Sequence, residues 1–148
     1  MPVSVASRVA SLAEELRPVL LRLSRHLRRE SHGTGLSPLD SQLIATIKYN
    51  SGIGVSELAE IEQMAAPTMS AHVKRLEEAG FIARDAAACT DKRRTSLGVT
   101  RQGDKALEAV RRQRNDWLAA RLGELSHDEL QSLASAVSAL AHLAGEKF

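Results

Sequence analysis

The stretch VSELAEIEQMAAPTMSAHVKRLEEAGFIARDAAACTDKRRTSLGVTRQG, residues 55–103, decides how this chain folds. At 100° per residue along Pro67 to Ala79, the side chains of Met69, Val73 and Leu76 fall within about 60° of one another, the mark of a buried helical stripe. Opposite them lie Pro67, Ala71, Lys74 and Glu78, with Ser70 and Arg75 on the shoulders and Thr68 beyond Arg75. Gly80 suits the left-handed position that closes a helix. Before this helix, Ser56 to Ile61 or Gln63 reads as a shorter one with Leu58 and Ile61 inward, and Met64-Ala65-Ala66 as the turn between the two. After it, Phe81 to Asp85 and Ser96 to Val99 read as two short strands around the basic run Asp91-Lys92-Arg93-Arg94. The order is helix, turn, helix, hairpin.

Outward from this centre the chain is helical. Upstream, Ser37-Pro38-Leu39-Asp40 has Ser at the N-cap, Pro at the first helical position and an acid closing a capping box. That helix runs to about Tyr49 with Leu43, Ile44 and Ile47 inward, and Asn50-Ser51-Gly52 with Gly54 breaks it. Earlier still, Val5 to Arg29 places Val9, Leu12, Leu16, Leu20, Leu23 and Leu27 at spacings of three and four, one face of an amphipathic helix. Downstream, Thr100 caps a helix from Arg101 to about Leu122 that should bury Leu107, Val110, Trp117, Leu118 and Leu122. Ser126 and Glu129 form a second capping box before a last helix. Its stripe of Leu130, Leu133, Val137, Leu140 and Ala144 resembles a coiled-coil seam. The fold class is therefore mostly α with a small β-hairpin.

At 148 residues one domain is expected. A domain near this size buries about 68–70% of the surface its unfolded chain exposes, so it needs no staple. One cysteine, Cys89, excludes an intramolecular disulfide and fits a reducing compartment. No apolar run has the length of a membrane span, and no signal-peptide core precedes the first helix, so a cytoplasmic protein with no membrane partner is expected. Two Phe, one Tyr and one Trp are too few for a single-strand stacking platform.

The net charge of +2 is a weak guide, but its distribution is not. Residues 66–114 hold eleven Lys/Arg against six Asp/Glu, a net +5, whereas residues 37–65 hold one Lys against four acids, a net −3. The positive part coincides with the second helix of the pair and the hairpin. A helix-turn-helix followed by a charged hairpin is the layout of a winged helix-turn-helix, one helix for base edges and one wing for phosphates. The exposed half of the Pro67 helix is small and hydroxyl-bearing, with cations behind it. Ser and Thr bond bases or phosphate, while long cations reach outward. Arg84, Lys92, Arg93 and Arg94 lie where a wing would meet a narrow groove or backbone. Asp91, two positions before Arg93, is placed to hold its guanidinium in a bidentate pair.

Against double-stranded DNA as the partner stand a solvated charged surface and a winged helix acting as a protein-interaction module. The chain shows no nucleophile–base arrangement, glycine-rich phosphate loop or metal motif, so no enzyme and no cofactor are expected. His26, His32, His72, His127 and His142 form no pair at ligand spacing, so no metal site is expected. His72 lies toward the buried side, as a packing residue. Cys89, near Lys92 and Arg93, leaves open a thiol-responsive alternative.

From Leu36 to Gly103 the chain resembles the MarR family of winged-helix transcription factors. The matching pieces are Leu36-Ser37-Pro38, Ser56-Glu57-Leu58-Ala59, Thr68-Met69-Ser70-x-x-Val73-x-x-Leu76-Glu77-x-x-Gly80, Asp91-x-Arg93-Arg94, and Leu97-x-Val99-Thr100-x-x-Gly103. The resemblance implies one MarR-like domain over residues 1–148. Its winged helix-turn-helix would cover about 37–100, and its N- and C-terminal dimerisation helices about 3–30 and 101–148. It implies a homodimer joined through Leu12, Leu16, Leu133, Val137 and Leu140, and a palindromic operator bound by a repressor. It further implies relief by a small, frequently phenolic or aromatic-acid ligand, seated between the first helix, the Pro38 helix and the Arg101 helix. In the family, the residues matching Asp91 and Arg93 matter for DNA contact. Many members carry a base where this chain has Ala71, and the wing here holds Ala86-Ala87-Ala88.

Overall fold

The computed structural model describes residues 5–85 and 95–145. The elements are α1 (Val5–Arg29), α2 (Pro38–Tyr49), α3 (Val55–Ile61), α4 (Ala66–Glu78), β1 (Ile82–Asp85), β2 (Ser96–Val99), α5 (Arg101–Leu122) and α6 (His127–Leu143). They form two compact units, Met1–Arg114 and Asn115–Phe148, with the boundary inside α5. The fold is the mostly helical winged helix-turn-helix that the patterning predicts.

The first unit holds the buried core. Leu43, Ile44 and Ile47 of α2 meet Leu58 of α3, the stripe Met69, Val73 and Leu76 of α4, Ile82 of β1, Leu97 of β2 and Val110 of α5. Local chemistry sets the ends of its helices. Ser37 Oγ accepts the Asp40 N–H at 3.0 Å and the Asp40 carboxylate accepts the Ser37 N–H at 3.3 Å, a reciprocal cap on α2. The strands pair antiparallel with Ile82 opposite Val99 and Asp85 opposite Ser96. Leu97 N–H donates to Ile53 C=O at 2.8 Å, tying the hairpin base to the loop after α2.

α3 and α4 end in the same way with different residues. Gly80 N–H reaches Glu77 C=O and Phe81 N–H reaches Leu76 C=O, both at 3.0 Å, around a Gly80 φ of +82°. At the end of α3, Gln63 N–H reaches Glu60 C=O at 3.2 Å and Met64 N–H reaches Ala59 C=O at 2.9 Å, around a Gln63 φ of +53°. Both are Schellman closures. The second corrects one expectation: Ile61 is 53% exposed, because the turn through Gln63 carries Met64 back onto the core while Leu58 and Ala59 fill the inward side of α3. The Glu62 carboxylate then ties α3 to α2, accepting from Gln42 Nε2 and Thr46 Oγ1 at 2.5 Å each.

The corner into α5 needs its glycine. Thr100 Oγ1 donates to Gly80 C=O at 2.6 Å and accepts the Gly103 N–H at 3.0 Å. A Cβ at Gly103 would lie 2.1 Å from the Phe81 carbonyl oxygen. Lower on α5, Arg114 donates to Leu27 C=O (3.0 Å) and Ser41 Oγ (3.2 Å), joining it to α1 and α2. Burial, followed by the nearby Arg28 charge, lowers the Arg114 pKa.

The second unit is built differently. Trp117, Leu118 and Leu122, expected to be buried, are half-buried, and no described residue of this unit is fully buried. Arg121 lies over the Trp117 ring, 5.7 Å from its centroid. A Ser126–Glu129 capping box opens α6 as predicted, and the bonds to Ser126 hold the Glu129 carboxyl below its ordinary pKa.

Candidate nucleic-acid interface

α4 is the element whose two faces differ most. Its inner stripe is fully buried, while Pro67, Thr68, Ser70, Ala71 and Lys74 are exposed. Unlike α2 and α6, it has no side-chain cap. Ala65 stands at its N-cap, and Pro67 near the start brings no N–H. The first turn of α4, at the positive end of the helix dipole, therefore lacks a side-chain cap and carries the exposed Thr68, with Ser70 following. That environment favours a phosphate oxygen.

The cations at this surface are held unequally. Lys74 Nζ is 3.9 Å from Glu78 with both side chains largely in solvent, a weak pair that leaves the ammonium available. Arg84 on β1 donates through Nε to Glu77 Oε2 at 3.0 Å, bracing the hairpin against the end of α4. Arg75, expected to reach outward from the shoulder, turns instead to α2. Its Nη1 lies 3.1 Å from Asp40 Oδ2 and its Nη2 lies 2.5 Å from Asp40 Oδ1. The same Nη2 is 3.3 Å from His72 Nδ1, and His72 is half-buried, as a flanking residue should be.

Asp40 thus serves two elements. Burial alone would push its carboxyl up, but the Arg75 guanidinium and the two bonds with Ser37 more than offset that and hold it below the ordinary range. Reading the sequence singled out Asp40 only as a capping acid. Its partner lies 35 positions away, and no local spacing signals the pair.

Lys48 and Asp104 form a further brace, 2.9 Å apart, between α2 and α5. Asp91, Lys92, Arg93, Arg94 and Cys89 lie outside the described residues. Among the described residues no group of His, Cys, Asp or Glu is placed to hold a metal ion, and no helix is long and apolar enough to cross a membrane. Tyr49, at the end of α2, is 79% exposed.

Residues 36–95, which contain this interface, match the MarR family. An HTH-type transcriptional regulator of Mycobacterium tuberculosis is 31% identical over 137 residues, 93% of this chain and 95% of its own length. The HTH-type transcriptional repressor MdtR of Bacillus subtilis is 29% identical over 110 residues, 74% of this chain and 70% of its own. Among solved structures, a transcriptional regulator from Pseudomonas aeruginosa superposes with a TM-score of 0.80 at 28% identity, covering 95% of this chain and 98% of its own. With the sequence motifs, the winged helix-turn-helix and its hydroxyl-lined outer helix in agreement, the chain belongs to the MarR family of DNA-binding transcriptional regulators, which are not enzymes.

Proposed function

We propose that this protein is a cytoplasmic homodimeric repressor that places α4 of each copy in successive major grooves of a palindromic operator. The observation that carries the reading is a pair of unlike surfaces on one chain. The outer face of α4 is small, polar and free. α1 and α6 bury no residue at all, yet carry Leu12, Leu133 and Val137 in the open, with Leu16 and Leu140 half-covered. Amphipathic helices of this kind gain their stability from packing, so stripes left open in one chain call for a second.

In this reading Thr68, Ser70 and Ala71 approach base edges, Pro67 opens the helix against the backbone, and Lys74 meets phosphate. Asp91, Lys92, Arg93 and Arg94 are assigned to the wing contact by the family motif, with Arg84 at its base. The similarity to MdtR, named a repressor, favours repression over activation. A ligand that relieves binding is assigned a seat in a cleft of about 380 Å³ lined by Leu21, Ser24, Arg25, Arg28, Arg29 and Pro38. Three guanidinium groups beside apolar carbon suit a small aromatic carboxylate.

The test is selection of genomic fragments by the purified protein, then binding to the selected duplex at several salt concentrations. A single palindromic motif, bound two chains per site with log affinity falling steeply against log salt, is expected. Salt-insensitive binding, or none at low ionic strength, would sink the reading and leave a winged helix that docks on protein.

A further inference from the structure

The geometry points to Arg75 as a positioning residue: through its bidentate pair with Asp40 it sets the angle and depth at which α4 is presented, and it does not contact DNA. The inference rests on α4 being the groove reader. What holds α4 from within is Met69, Val73 and Leu76, and hydrophobic packing is strong but non-directional. A helix resting on three apolar side chains retains freedom to roll and slide by small amounts. A planar guanidinium joined by two parallel N–H···O bonds to a carboxylate does not tolerate that freedom, because both distances must hold together.

The carboxylate is itself immobilised. Asp40 has only 7% of its side chain exposed, and Oδ2 accepts the Ser37 N–H while also accepting Arg75 Nη1. The capping box that starts α2 therefore also anchors the last turn of α4. Arg84–Glu77 braces the same last turn of α4 against β1, so directed bonds from α2 and from the hairpin meet at one end of the helix. Thr68, Ser70 and Ala71, one to two turns before Arg75, are the residues whose aim this pinning fixes. A groove contact tolerates little misplacement, whereas a phosphate contact through a long Lys tolerates more.

Asp40 never meets DNA in this arrangement, which separates the two roles open to Arg75. Asp40→Asn keeps an oxygen for the Ser37 cap and weakens only the ion pair. Arg75→Lys keeps the positive charge and loses the two-bond fork. Both variants, and the double variant, are to be titrated with the selected operator and with a scrambled duplex of equal length at several salt concentrations.

Each single variant should bind the operator about tenfold more weakly, and the double variant no more weakly than the worse single. Scrambled-duplex affinity and the salt slope should remain those of the parent. In the free proteins, amide exchange across residues 66–78 should quicken in Asp40→Asn while exchange in α6 stays unchanged. Full operator affinity in Asp40→Asn, or unaltered exchange in α4, overturns the proposal. So does Arg75→Gln lowering the salt slope by about one on both duplexes, since that marks a phosphate contact. Ser70→Ala and Lys74→Ala serve as controls for the underlying reading. If they too leave operator binding intact, α4 is not the reader. If they impair it while Asp40→Asn does not, only the positioning role fails.

Discussion

The winged body and the helices α1 and α6 obey the same amphipathic rule and reach opposite ends. In the body, every inward residue of α2 and α4 meets a partner from another element of the same chain, and burial is complete. In α1 and α6 the apolar stripe is just as regular, yet no residue is buried. Periodicity tells which face of a helix is apolar. It does not tell whether the covering surface belongs to the same chain. The contrast separates a body finished by its own contacts from flanking helices whose apolar stripes this chain leaves uncovered.

The comparison breaks most sharply at the corner below α4. Gly103→Ala drives a methyl group into the Phe81 carbonyl, 2.1 Å away. It should destabilise the body by about 3 kcal/mol in chemical denaturation. A loss within experimental error would mean that the corner yields freely and is not a fixed part of the body. On the flanking helices the effect should appear in assembly instead. Val137→Glu should weaken self-association by roughly 2 kcal/mol or more per interface, about thirtyfold, as followed by sedimentation, with the unfolding of the body little changed. A dimer of unaltered strength would move the seam off Val137.

A smaller effect concerns the link between α2 and α4. Because the folded-state pKa of Asp40 is depressed, its contribution is present above the ordinary carboxylate range and is lost as pH falls through the lower folded value. Asp40→Asn should therefore cost about 1–2 kcal/mol near neutrality, and the gap between parent and variant should narrow as pH falls below the ordinary carboxylate range. A gap of constant size down to the pH of acid unfolding would assign the cost to packing. Smallest is the helix end that lacks its glycine. Gln63→Gly relieves a left-handed residue in a Schellman closure and should raise stability by at most about 1 kcal/mol, read as a shift in denaturation midpoint. A loss would show that the Gln63 side chain contributes contacts outweighing the strain.

Much of the body was legible because its signals are local. Ser37-Pro38-Leu39-Asp40, Gly80 and Ser126-x-x-Glu129 each act within a few residues, and the predicted helix ends at Arg29, Tyr49 and Leu122 coincide with those observed. The face of α4 was legible too, since one helix turn orders Met69, Val73 and Leu76 regardless of context. Ile61 departs from its apolar spacing for a definite reason. A short helix ending in a left-handed turn lets the following Met64 take the inward place, and apolar spacing does not register that turn when its residue is Gln. Trp117, Leu118 and Leu122 lie shallower than their stripe predicts, because a stripe reports apolarity and not the presence of a cover.

The sequence by itself determined the order of elements, the buried stripe and outer face of α4, the caps and the family, because each follows from contacts within a turn or two or from motifs in register. Tertiary structure alone decided which charges are spent inside the molecule. Arg75 and Lys74 are neighbours on one helix with the same charge. Only the approach of the α2 capping box, 35 residues away in sequence, commits the first to Asp40 and leaves the second facing outward. Opposite charges attract at any sequence separation, so the partner is chosen by how the core brings helices together, and no spacing along the chain encodes it.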